Sequence, residues 1–389
     1  MSLMKKVLQI SNYYYPNIGG IEQVARDISN VLRNEDNYEI KVICFNENSS
    51  DGNHVCHRKD TIHEMIDGVE IIKCGCITKV ASQSISFSFK KELDRVMNEF
   101  KPDIVIFHYP NPFEAHYLLR YSKCKFKLLL YWHLDITKQK YLKKLFYRQN
   151  IKLINRANYV LGATPMHINT SEFSSFFIKK KKLLPYMIDT SKLVLSTEEN
   201  EEAKRIKQKY NGYVLGFFVG RHIPYKGLEY LIRASKELND VPLKIFIAGS
   251  GELTNSLKLL AKGDTKIRFV GRISDAQKRA YYKACDIICF PSITRNEGFG
   301  LALAEGMYFG KPAVTFKIKG SGVNFVNLAD KTGIECPNCD VHAYANAIRK
   351  LALCKDLRIK MGNAAKQRVE KNFTPDCFKT NLLCLLNDL

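Results

Sequence analysis

Residues 286–316, DIICFPSITRNEGFGLALAEGMYFGKPAVTF, decide the fold of this chain, because two short apolar runs enclose a helical segment. The runs at 287–290 and 313–316 predict buried strands. Between them, residues 301–309 have helical character, and Gly310 and Pro312 end the helix. A strand, a loop, a helix and a second strand in this order predict one unit of a parallel α/β sheet.

The same alternation of apolar runs and amphipathic helical segments occurs in two blocks of the sequence. The first block, residues 4–195, contains KVLQIS, EIKVICF, VEIIKCG, PDIVIFH, KLLLYWH and ANYVLGAT. The second, residues 213–372, contains YVLGFFVG, LKIFIAG, KIRFVG, DIICFPS and PAVTF. Each block predicts a Rossmann-like, doubly wound parallel sheet. The highly charged residues 196–212 predict a linker, and residues 373–389 predict a final amphipathic helix that could pack on either domain.

The bulk composition fits two globular domains. The chain has 389 residues, of which 46% are hydrophobic and 25% are charged, and this length favours two domains of ordinary size. No run approaches the roughly 20 consecutive apolar residues of a spanning helix, and the N-terminus lacks the layout of a secretory signal. We therefore expect a cytoplasmic protein.

The twelve cysteines are expected to be reduced in that compartment and to serve as small core residues. Cys44, Cys285 and Cys289, which lie inside apolar runs, are the clearest examples. The close pairs in CGC at 74–76 and ECPNCD at 335–340 could together supply four zinc ligands. The first pair, however, has a one-residue gap, and no histidine is near. The sequence therefore predicts no metal site.

The net charge of +21 predicts an acidic partner. Residues 138–156, KQKYLKKLFYRQNIKLINR, carry seven basic and no acidic side chains, with apolar residues at helical spacing: Tyr141, Leu142, Leu145 and Phe146. This pattern is typical of a basic amphipathic helix that docks on an anionic membrane surface, and the lysines at 179–182 add to it. A solvated helix face beside a lysine-rich loop fits the pattern as well. No nucleic acid is expected, because the basic runs lack a helix-turn-helix, zinc or single-strand-binding pattern.

Loops at the carboxyl ends of strands are where an open sheet binds ligands, and two facing sheets would form a cleft lined by such loops. In the opening stretch, Glu297 precedes the helix and Glu305 lies about a turn inside it, with Gly298 and Gly300 beside the helix start. The free N–H groups of a helix start bind phosphate oxygens, and carboxylates accept paired hydrogen bonds from vicinal hydroxyls. This arrangement predicts a nucleotide sugar as the ligand. A helix-capping role for Glu305 is the alternative.

Other strand-end loops supply cations, a histidine and glycines. VGRHIPYKG ends a strand of the second domain with Arg221 and Lys226, which suit a diphosphate through bidentate guanidinium bonds and an ammonium point charge. In the first domain, His133 follows a strand in YWHLD. Gly19 and Gly20, in SNYYYPNIGGIEQVARDI, would let backbone N–H groups approach an anion or a sugar hydroxyl. A buried core histidine and a plain glycine turn remain the alternatives at these two loops.

These motifs resemble those of the retaining glycosyltransferases of the GT-B fold, in the large family numbered four. The resemblance rests on GRHIPYKG and NEGFGLALAEGMYFGKPAV, with YYYPNIGGIEQVARDI, YWHLD, IAGSGEL and KTGIECPNCD in support, over nearly the whole chain. It implies two facing Rossmann-like domains with a cleft between them, and a final helix that crosses back onto the first domain. The sequence departs from the family at Gly306, where alanine is usual, and in LLPYMID, which lacks the common PNG.

The resemblance also implies roles for the site residues. Glu305 would hold the ribose hydroxyls, and Glu297 would hold the hydroxyls of the donor sugar. Arg221 and Lys226 would neutralise the departing diphosphate in place of a metal, and His133 would lie near the transferred sugar. The remaining donor-binding positions would be Gly19, Gly20 and Gly249, with the main-chain amides of Phe299, Gly300 and Leu301.

The function that the resemblance implies is a retaining hexosyltransferase without metal or cofactor. It would move a sugar from a nucleotide diphosphate sugar to a glycan or lipid-linked acceptor, in bacterial surface polysaccharide or lipopolysaccharide synthesis, with peripheral binding to the inner face of the plasma membrane. One alternative is a nucleotide-sugar-processing enzyme of the same fold, such as an epimerase. Another is a noncatalytic sugar-binding relative, which need not retain Arg221, Lys226 and Glu297 together.

Overall fold

The computed structural model describes residues 4–17, 19–47, 59–80, 83–136 and 140–389, with the backbone alone at 80 and 140–143. The chain divides into two compact units. Unit 1 comprises Met1–Ala163, Ile168–Leu184 and Lys379–Leu389, and unit 2 comprises Thr164–His167 and Pro185–Phe378. Each unit is built on its own mostly parallel sheet.

Unit 1 contains an eight-stranded sheet and a separate two-stranded one. The strands are β1 Lys5–Ile10, β2 Tyr38–Phe45, β3 Ile62–Ile66, β4 Val69–Cys74, β5 Thr78–Val80, β6 Gln83–Ile85, β7 Ile104–Tyr109, β8 Lys127–Trp132, β9 Tyr159–Gly162 and β10 Lys181–Leu183. The order in the large sheet is β10-β9-β8-β7-β1-β2-β4-β3. The strands run parallel except β3, which pairs antiparallel with β4 at the edge.

The helices of unit 1 cover its large sheet. They are α1 Gly20–Arg33, α2 Phe87–Glu99, α3 Pro112–Leu118, α4 Lys140–Arg156, α5 Pro165–Asn169, which lies at the boundary of the units, and α6 Ser174–Phe177. All six residues of β7, IVIFHY, are buried, as expected of a central parallel strand with both faces covered. The core includes Trp132, whose ring lies 3.7 Å from that of Tyr109 and packs edge-on against Phe173 and Phe177.

Unit 2 contains a six-stranded parallel sheet. Its strands are β11 Val214–Val219, β12 Leu243–Ala248, β13 Ile267–Gly271, β14 Ile287–Phe290, β15 Ala313–Phe316 and β16 Gly333–Cys336. Its helices are α7 Thr197–Lys209, α8 Leu228–Lys236, α9 Thr254–Leu260, α10 Asp275–Ala284, α11 Leu301–Tyr308, α12 Val323–Val326, α13 Val341–Leu353 and α14 Lys355–Asn372, followed by α15 Pro375–Asn387.

The strand order of unit 2, β13-β12-β11-β14-β15-β16, is that of a Rossmann sheet. The order reverses between β11 and β14, where the loops after these two strands diverge to opposite faces and leave room for a ligand. The opening stretch of sequence forms β14, α11 and β15, as predicted. The prediction of two Rossmann-like parallel-sheet domains is therefore confirmed.

Residues 196–212, which we predicted as a linker, form helix α7 of unit 2. A capping box begins this helix, since the side chains of Ser196 and Glu199 each bond to the other's backbone N–H. Glu199 also pairs with Arg279 at 2.5 Å, and Lys207 pairs with Asp286 at 2.7 Å. The charges that suggested a linker thus tie α7 to helix α10 and to the residue before β14.

The chain from Lys379 onward belongs to unit 1. Lys379 Nζ lies 2.5 Å from Glu35 Oε1, and the Tyr159 hydroxyl donates to the carbonyl of Asp388 at 3.1 Å. The cysteines named from their apolar context, Cys44, Cys285 and Cys289, are buried and form no disulfide.

Candidate active site

An ion pair joins two of the predicted site residues of unit 2. Lys226 follows β11 in a short 3-10 turn, Pro224–Lys226, and Glu297 follows β14. Because these strands are neighbours, their terminal loops meet, and Lys226 Nζ lies 2.5 Å from Glu297 Oε2. Both side chains are largely buried, with exposed fractions of 12% and 11%. The pair is therefore a cation and an anion held together at the point where the strand order reverses.

Serine hydroxyls hold Glu297 in place. Ser292 Oγ donates to Glu297 Oε2 at 2.9 Å, and Ser321 Oγ donates to the Glu297 carbonyl at 2.5 Å. A Cβ on Gly322 would lie 2.0 Å from the Gly298 carbonyl oxygen, so the two loops touch through their backbones. The carboxylate is thus held by Ser292 of its own loop, and the backbone of that loop is held by the loop after β15.

The amino terminus of α11 presents its backbone N–H groups without a capping side chain. Gly300 is the cap residue, with φ 91° and ψ 61°, a left-handed conformation that favours glycine. The Phe299 ring is buried against Tyr186 and Phe373. Phe299, Gly300 and Leu301 therefore lie at the start of α11, where a helix dipole favours an anion.

Glu305 is held by two residues of α10. Lys278 Nζ lies 3.1 Å from Glu305 Oε2. The Tyr282 hydroxyl lies 3.1 Å from the same oxygen and 2.9 Å from the Ala302 carbonyl, so it donates toward both. Burial, and then the charge of Glu305, raise the pKa of Tyr282 well above its usual value, so the hydroxyl keeps its proton. Among the described residues, the side-chain bonds of Glu305 go to Lys278 and Tyr282 and not to the N–H groups that begin α11, so the helix-capping alternative is not what the structure shows.

Tight packing explains why residue 306 is glycine. A Cβ at this position would lie 2.5 Å from Ile288 Cδ1 and 3.3 Å from the ring of Tyr282. The space that an alanine methyl would take is filled by the side chain of β14 and by the tyrosine that bonds Glu305. Glycine at position 306, where the family usually has alanine, therefore leaves room for the Ile288 side chain and the Tyr282 ring.

The predicted cation Arg221 and the glycine turn at 249 lie beside each other at the ends of β11 and β12. Gly249 has φ 117°, and a Cβ there would lie 1.9 Å from the Gly220 carbonyl oxygen, so only glycine fits. Arg221 is exposed, and its guanidinium forms no ion pair with any described residue. The structure brings Lys226 and Glu297 together, but no hydrogen bond or ion pair links Arg221 to either of them.

In unit 1, His133 belongs to a buried hydrogen-bond chain. His108 Nδ1 lies 2.9 Å from His133 Nε2, and His108 Nε2 lies 2.8 Å from Gln9 Oε1. Gln9 Nε2 donates to the Ala25 carbonyl at 2.9 Å and to Ser29 Oγ at 2.8 Å. The two imidazole planes differ by 4°. All three members of the chain are at least 97% buried, because their exposed fractions are 0%, 0% and 3%.

The hydrogen bonds among Gln9, His108 and His133 determine the tautomer of each imidazole. A carbonyl only accepts, so the Gln9 amide nitrogen must face Ala25, which leaves its oxygen to accept from His108 Nε2–H. Burial lowers the pKa of His108 to about 3, so the ring is neutral and its Nδ1 accepts. His133 therefore donates from Nε2, and its Nδ1 carries the lone pair when the ring is neutral.

The neighbours of His133 have structural roles. Trp132 Nε1 donates to Asp135 Oδ1 at 2.8 Å, and Ser171 Oγ donates to the same oxygen at 2.7 Å. Gly19 is the cap residue of α1, which begins at Gly20 without a capping side chain. A Cβ on Gly19 would lie 2.2 Å from Glu22 Oε2, so the Glu22 carboxylate lies beside the predicted glycine pair. Ile18 before the pair lies outside the described residues.

Sequence reasoning missed several residues that hold the site. Lys278 and Tyr282 lie in an ordinary amphipathic helix before β14, and nothing in their local pattern marks them. Gln9 lies inside an apolar strand, and a polar residue in a buried strand is the one signal that could have found it. His108 ends the apolar run PDIVIFH, but its bond to His133 depends on the register of β7 and β8, which the sequence does not state.

Helix α4 presents a basic face. Lys144, Arg148 and Lys152 are exposed, while Leu153 and Ile154 are buried. Leu145 is 70% exposed beside this basic row, and Tyr147 is 39% exposed. The side chains of Lys138, Tyr141 and Leu142, which belong to the predicted amphipathic pattern, lie outside the described residues. Across the described helices, none has both the length and the apolar character that crossing a bilayer demands.

Comparison with known proteins gives matches along most of the chain. The model "Glycosyl transferases group 1" matches residues 199–368, and the model "Glycosyltransferase Family 4" matches residues 18–170. The chain is 25% identical over 376 residues to O-antigen chain mannosyltransferase C of Escherichia coli, which covers 95% of both chains. It is 28% identical over 376 residues to D-rhamnosyltransferase WbpZ of Pseudomonas aeruginosa. That alignment covers 93% of this chain and 90% of the rhamnosyltransferase.

Solved structures share the fold. Sucrose-phosphate synthase of Thermosynechococcus elongatus matches with a TM-score of 0.77 at 17% identity, over 99% of this chain and 98% of that one. HepE of Anabaena in complex with UDP matches with a TM-score of 0.72 at 18% identity, over 99% and 100%. These structures have the GT-B fold, which the two parallel-sheet units of this chain also follow.

Proposed function

Because this chain belongs to the GT-B glycosyltransferases of group 1 and family four, we propose that it transfers a hexose-type sugar, with retention, from a nucleotide diphosphate sugar. The acceptor is a glycan or a lipid-linked glycan of a bacterial surface polysaccharide or lipopolysaccharide. The O-antigen mannosyltransferase and the D-rhamnosyltransferase among its relatives support this pathway. The UDP held by HepE supports a nucleotide diphosphate as the leaving group.

The observation that carries the proposal is the Lys226–Glu297 pair beside the uncapped start of α11. Lys226 provides a buried cation, Glu297 a carboxylate for sugar hydroxyls, and the amides of residues 299–301 a second anion-binding element. Glu305, held by Lys278 and Tyr282, provides a carboxylate for the ribose hydroxyls. A nucleotide sugar would place its sugar at Glu297, its diphosphate at Lys226 and the amides of residues 299–301, and its ribose at Glu305.

The chemical step follows from where charge develops. The bond between the anomeric carbon and the diphosphate oxygen breaks, so positive charge builds on the sugar and negative charge on the diphosphate. Lys226 and Arg221 stabilise the departing diphosphate, in the place that a metal takes in other transferases. The acceptor oxygen bonds to the anomeric carbon on the face that the diphosphate leaves, and a diphosphate oxygen takes the acceptor proton. The anomeric configuration is thereby retained.

An anionic membrane surface is the proposed partner of α4. Its exposed cations Lys144, Arg148 and Lys152 lie beside the exposed Leu145. Helix α6 packs against α4, with Phe176 38% exposed and Ile178, just after the helix, 65% exposed. Cations for lipid headgroups with apolar side chains for the acyl boundary are the components of interfacial binding. The enzyme would then work at the cytoplasmic face of the plasma membrane, where lipid-linked acceptors lie.

The first experiment is a thermal-shift screen against nucleotide sugars and nucleoside diphosphates, followed by transfer assays with the ligands that stabilise the protein. We expect nucleoside diphosphate to be released when acceptor is present and an excess of chelator to leave the rate unchanged. Proton NMR of the product should show the anomeric configuration of the donor. An inverted product would contradict retention, and a rate abolished by chelator would contradict metal independence.

The same assay separates the alternatives. An epimerase would convert the sugar without acceptor-dependent release of nucleoside diphosphate, and a noncatalytic sugar-binding protein would bind without turnover. Neither alternative is favoured by the relatives, which are named as transferases. Sedimentation with neutral and anionic vesicles tests the membrane partner, and equal recovery with both would leave α4 a solvated face.

A further inference from the structure

A cavity of about 570 Å³ opens in unit 1 between the carboxyl-terminal parts of α3 and α4. Its polar lining consists of His116, Arg120, Ser122, Gln149, Lys152, Asn155 and Arg156. Three permanent cations thus converge on one concavity, and no carboxylate is among the lining residues. A concave site lined by charges of one sign concentrates ions of the opposite sign.

The cavity is separate from the strand-end site. Arg120 lies between α3 and β8, and Arg156 is the last residue of α4, just before β9, so both approach the amino ends of these parallel strands. His133 instead follows the carboxyl end of β8. Strand β8 has 6 residues and is therefore about 20 Å long. A group bound in the cavity therefore lies near the amino ends of the strands, whereas His133 lies at their carboxyl ends.

Arg156 is held in place by main-chain oxygens. Its Nη2 donates to the Cys124 carbonyl at 3.0 Å and to the Phe126 carbonyl at 2.8 Å, and the guanidinium lies 4.3 Å from the centre of the Phe126 ring. Burial lowers the pKa of Arg156. The nearby Lys180 also has a lowered pKa, from burial first and then from the charge of Arg156. Cations are thus crowded here without a carboxylate between them.

Arg120 and Lys152 supply the exposed cations of the site. Both are exposed, and neither forms an ion pair with any residue that the structure describes. The acid whose pKa Arg120 helps to lower, Asp94, is bound by Lys90 Nζ at 2.9 Å and by the Tyr121 hydroxyl. Two long cationic side chains therefore flank a fixed guanidinium and are open to an external anion.

The cavity continues a row of cations along α4. Lys144, Arg148, Lys152 and Arg156 recur at every fourth residue, so they follow one side of the helix toward its carboxyl end. The first three are exposed, and the last two line the cavity. An anionic surface along α4 would therefore meet the mouth of the cavity.

We propose that this cavity binds a phosphate group, and that its source is the headgroup of an anionic lipid. Guanidinium groups bond phosphate oxygens in bidentate fashion, and an ammonium adds a point charge. A volume of about 570 Å³ exceeds a bare phosphate, so the site accommodates the ester group that carries it. The inference rests on the proposed membrane partner of α4, and it does not depend on the proposed transfer reaction.

The test compares two double variants with equal charge changes. Arg120→Gln with Lys152→Gln removes two cations of the cavity, whereas Lys123→Gln with Lys125→Gln removes two exposed cations that do not line it. The probes are phosphatidylcholine vesicles with and without phosphatidic acid, measured by sedimentation, and glycerol 3-phosphate, measured by calorimetry. We expect the cavity variant to lose about tenfold or more in affinity for phosphatidic acid vesicles, since hydrogen bonds between ionised groups are stronger than those between neutral groups. The control variant should bind like the unmodified protein.

The two probes distinguish the source of the phosphate. If the cavity variant loses affinity for glycerol 3-phosphate alone, the phosphate site stands and the lipid source is wrong. If both double variants lose affinity for vesicles equally, general charge accounts for binding and the site is overturned. The proposed site is also overturned if neither phosphatidic acid vesicles nor glycerol 3-phosphate bind the unmodified protein.

Discussion

The imidazole of His133 donates a hydrogen bond to that of His108 across 2.9 Å, and Gln9, at the far side of His108, determines the direction of that bond. Because burial holds the pKa of His108 at about 3, the bond keeps this direction at neutral pH. His133 thus presents its ring in one tautomer, and the residue that decides it lies on another strand.

Gln9→Leu should release this control. The variant leaves His108 Nε2–H without its acceptor, which costs about 1–3 kcal/mol in a buried site, so His108 can move its proton to Nδ1. Long-range proton–nitrogen NMR of the imidazoles should then show mixed tautomers for both histidines. In the control Ser29→Ala, the Ala25 carbonyl still orients the Gln9 amide, and the tautomers should stay as in the unmodified protein. Identical spectra for Gln9→Leu would refute the assignment.

Lys226→Met should reduce turnover by about two orders of magnitude or more, because the departing diphosphate loses a buried cation. Arg221→Ala should act in the same direction. Steady-state kinetics with the donor identified by the ligand screen would measure both effects, and thermal melting would show that the fold survives. Lys236→Met, on the exposed side of α8, is the matched control. Unchanged turnover in both site variants would show that Lys226 and Arg221 do not stabilise the departing diphosphate.

Tyr282→Phe should weaken nucleotide binding while leaving the chemical step nearly intact. The hydroxyl that it removes contacts Glu305 and the Ala302 carbonyl, and a hydrogen bond to a charged group contributes about 1.5–3 kcal/mol, so about tenfold weaker binding is expected. Calorimetry with the nucleoside diphosphate measures it. The neighbouring Tyr281→Phe should have no effect, since the Tyr281 hydroxyl bonds to no described residue. Equal losses in both variants would argue against a specific role for Tyr282.

Glu114→Gln should stabilise unit 1 at neutral pH. Neither carboxyl oxygen of Glu114 has a hydrogen-bond partner among the described residues, and burial raises its pKa well above the usual range. The folded protein therefore keeps a proton that the unfolded chain loses above a pH of about 4.3. Stability is lost as pH rises from that value toward the folded pKa, at about 1.4 kcal/mol per pH unit.

Urea unfolding from pH 4 to pH 8 would test this dependence. The variant should gain stability over the unmodified protein as pH rises, and the difference should shrink toward pH 4. Glu99→Gln, at a side chain that is 67% exposed, makes the same charge change without burial and should leave the pH dependence unaltered. A difference that grows toward low pH would contradict the sign.

Much of the fold was predictable because its signals are local. The apolar runs that became β11, β12, β14 and β15 are short, continuous and separated by amphipathic segments, and that pattern suits few architectures other than a covered parallel sheet. The highly charged residues 196–212 were harder, because a helix that is held by ion pairs to Arg279 and Asp286 has almost no apolar face. Its partners lie about 80 residues away in sequence.

The sequence predicted the residues expected to contact the ligand, but it did not predict the residues that hold them in place. Glu297, Glu305, Arg221 and Lys226 stand in recognisable motifs after strands. The contact of Lys226 with Glu297 could be anticipated only as proximity, since strand neighbours bring their loops together without specifying which atoms meet. Lys278 and Tyr282 reach Glu305 from a separate helix, and no spacing in the sequence relates them to it.

By itself, the sequence determined the alternation of strands and helices, the strand-end positions of the charged residues and the family, because periodicity and motif spacing are properties of neighbouring residues. The tertiary structure alone decided that Lys226 pairs with Glu297, that Tyr282 holds Glu305 and that Gln9 sets the proton on His133. These are relations between distant segments, and they depend on strand register, helix packing and the direction of single hydrogen bonds.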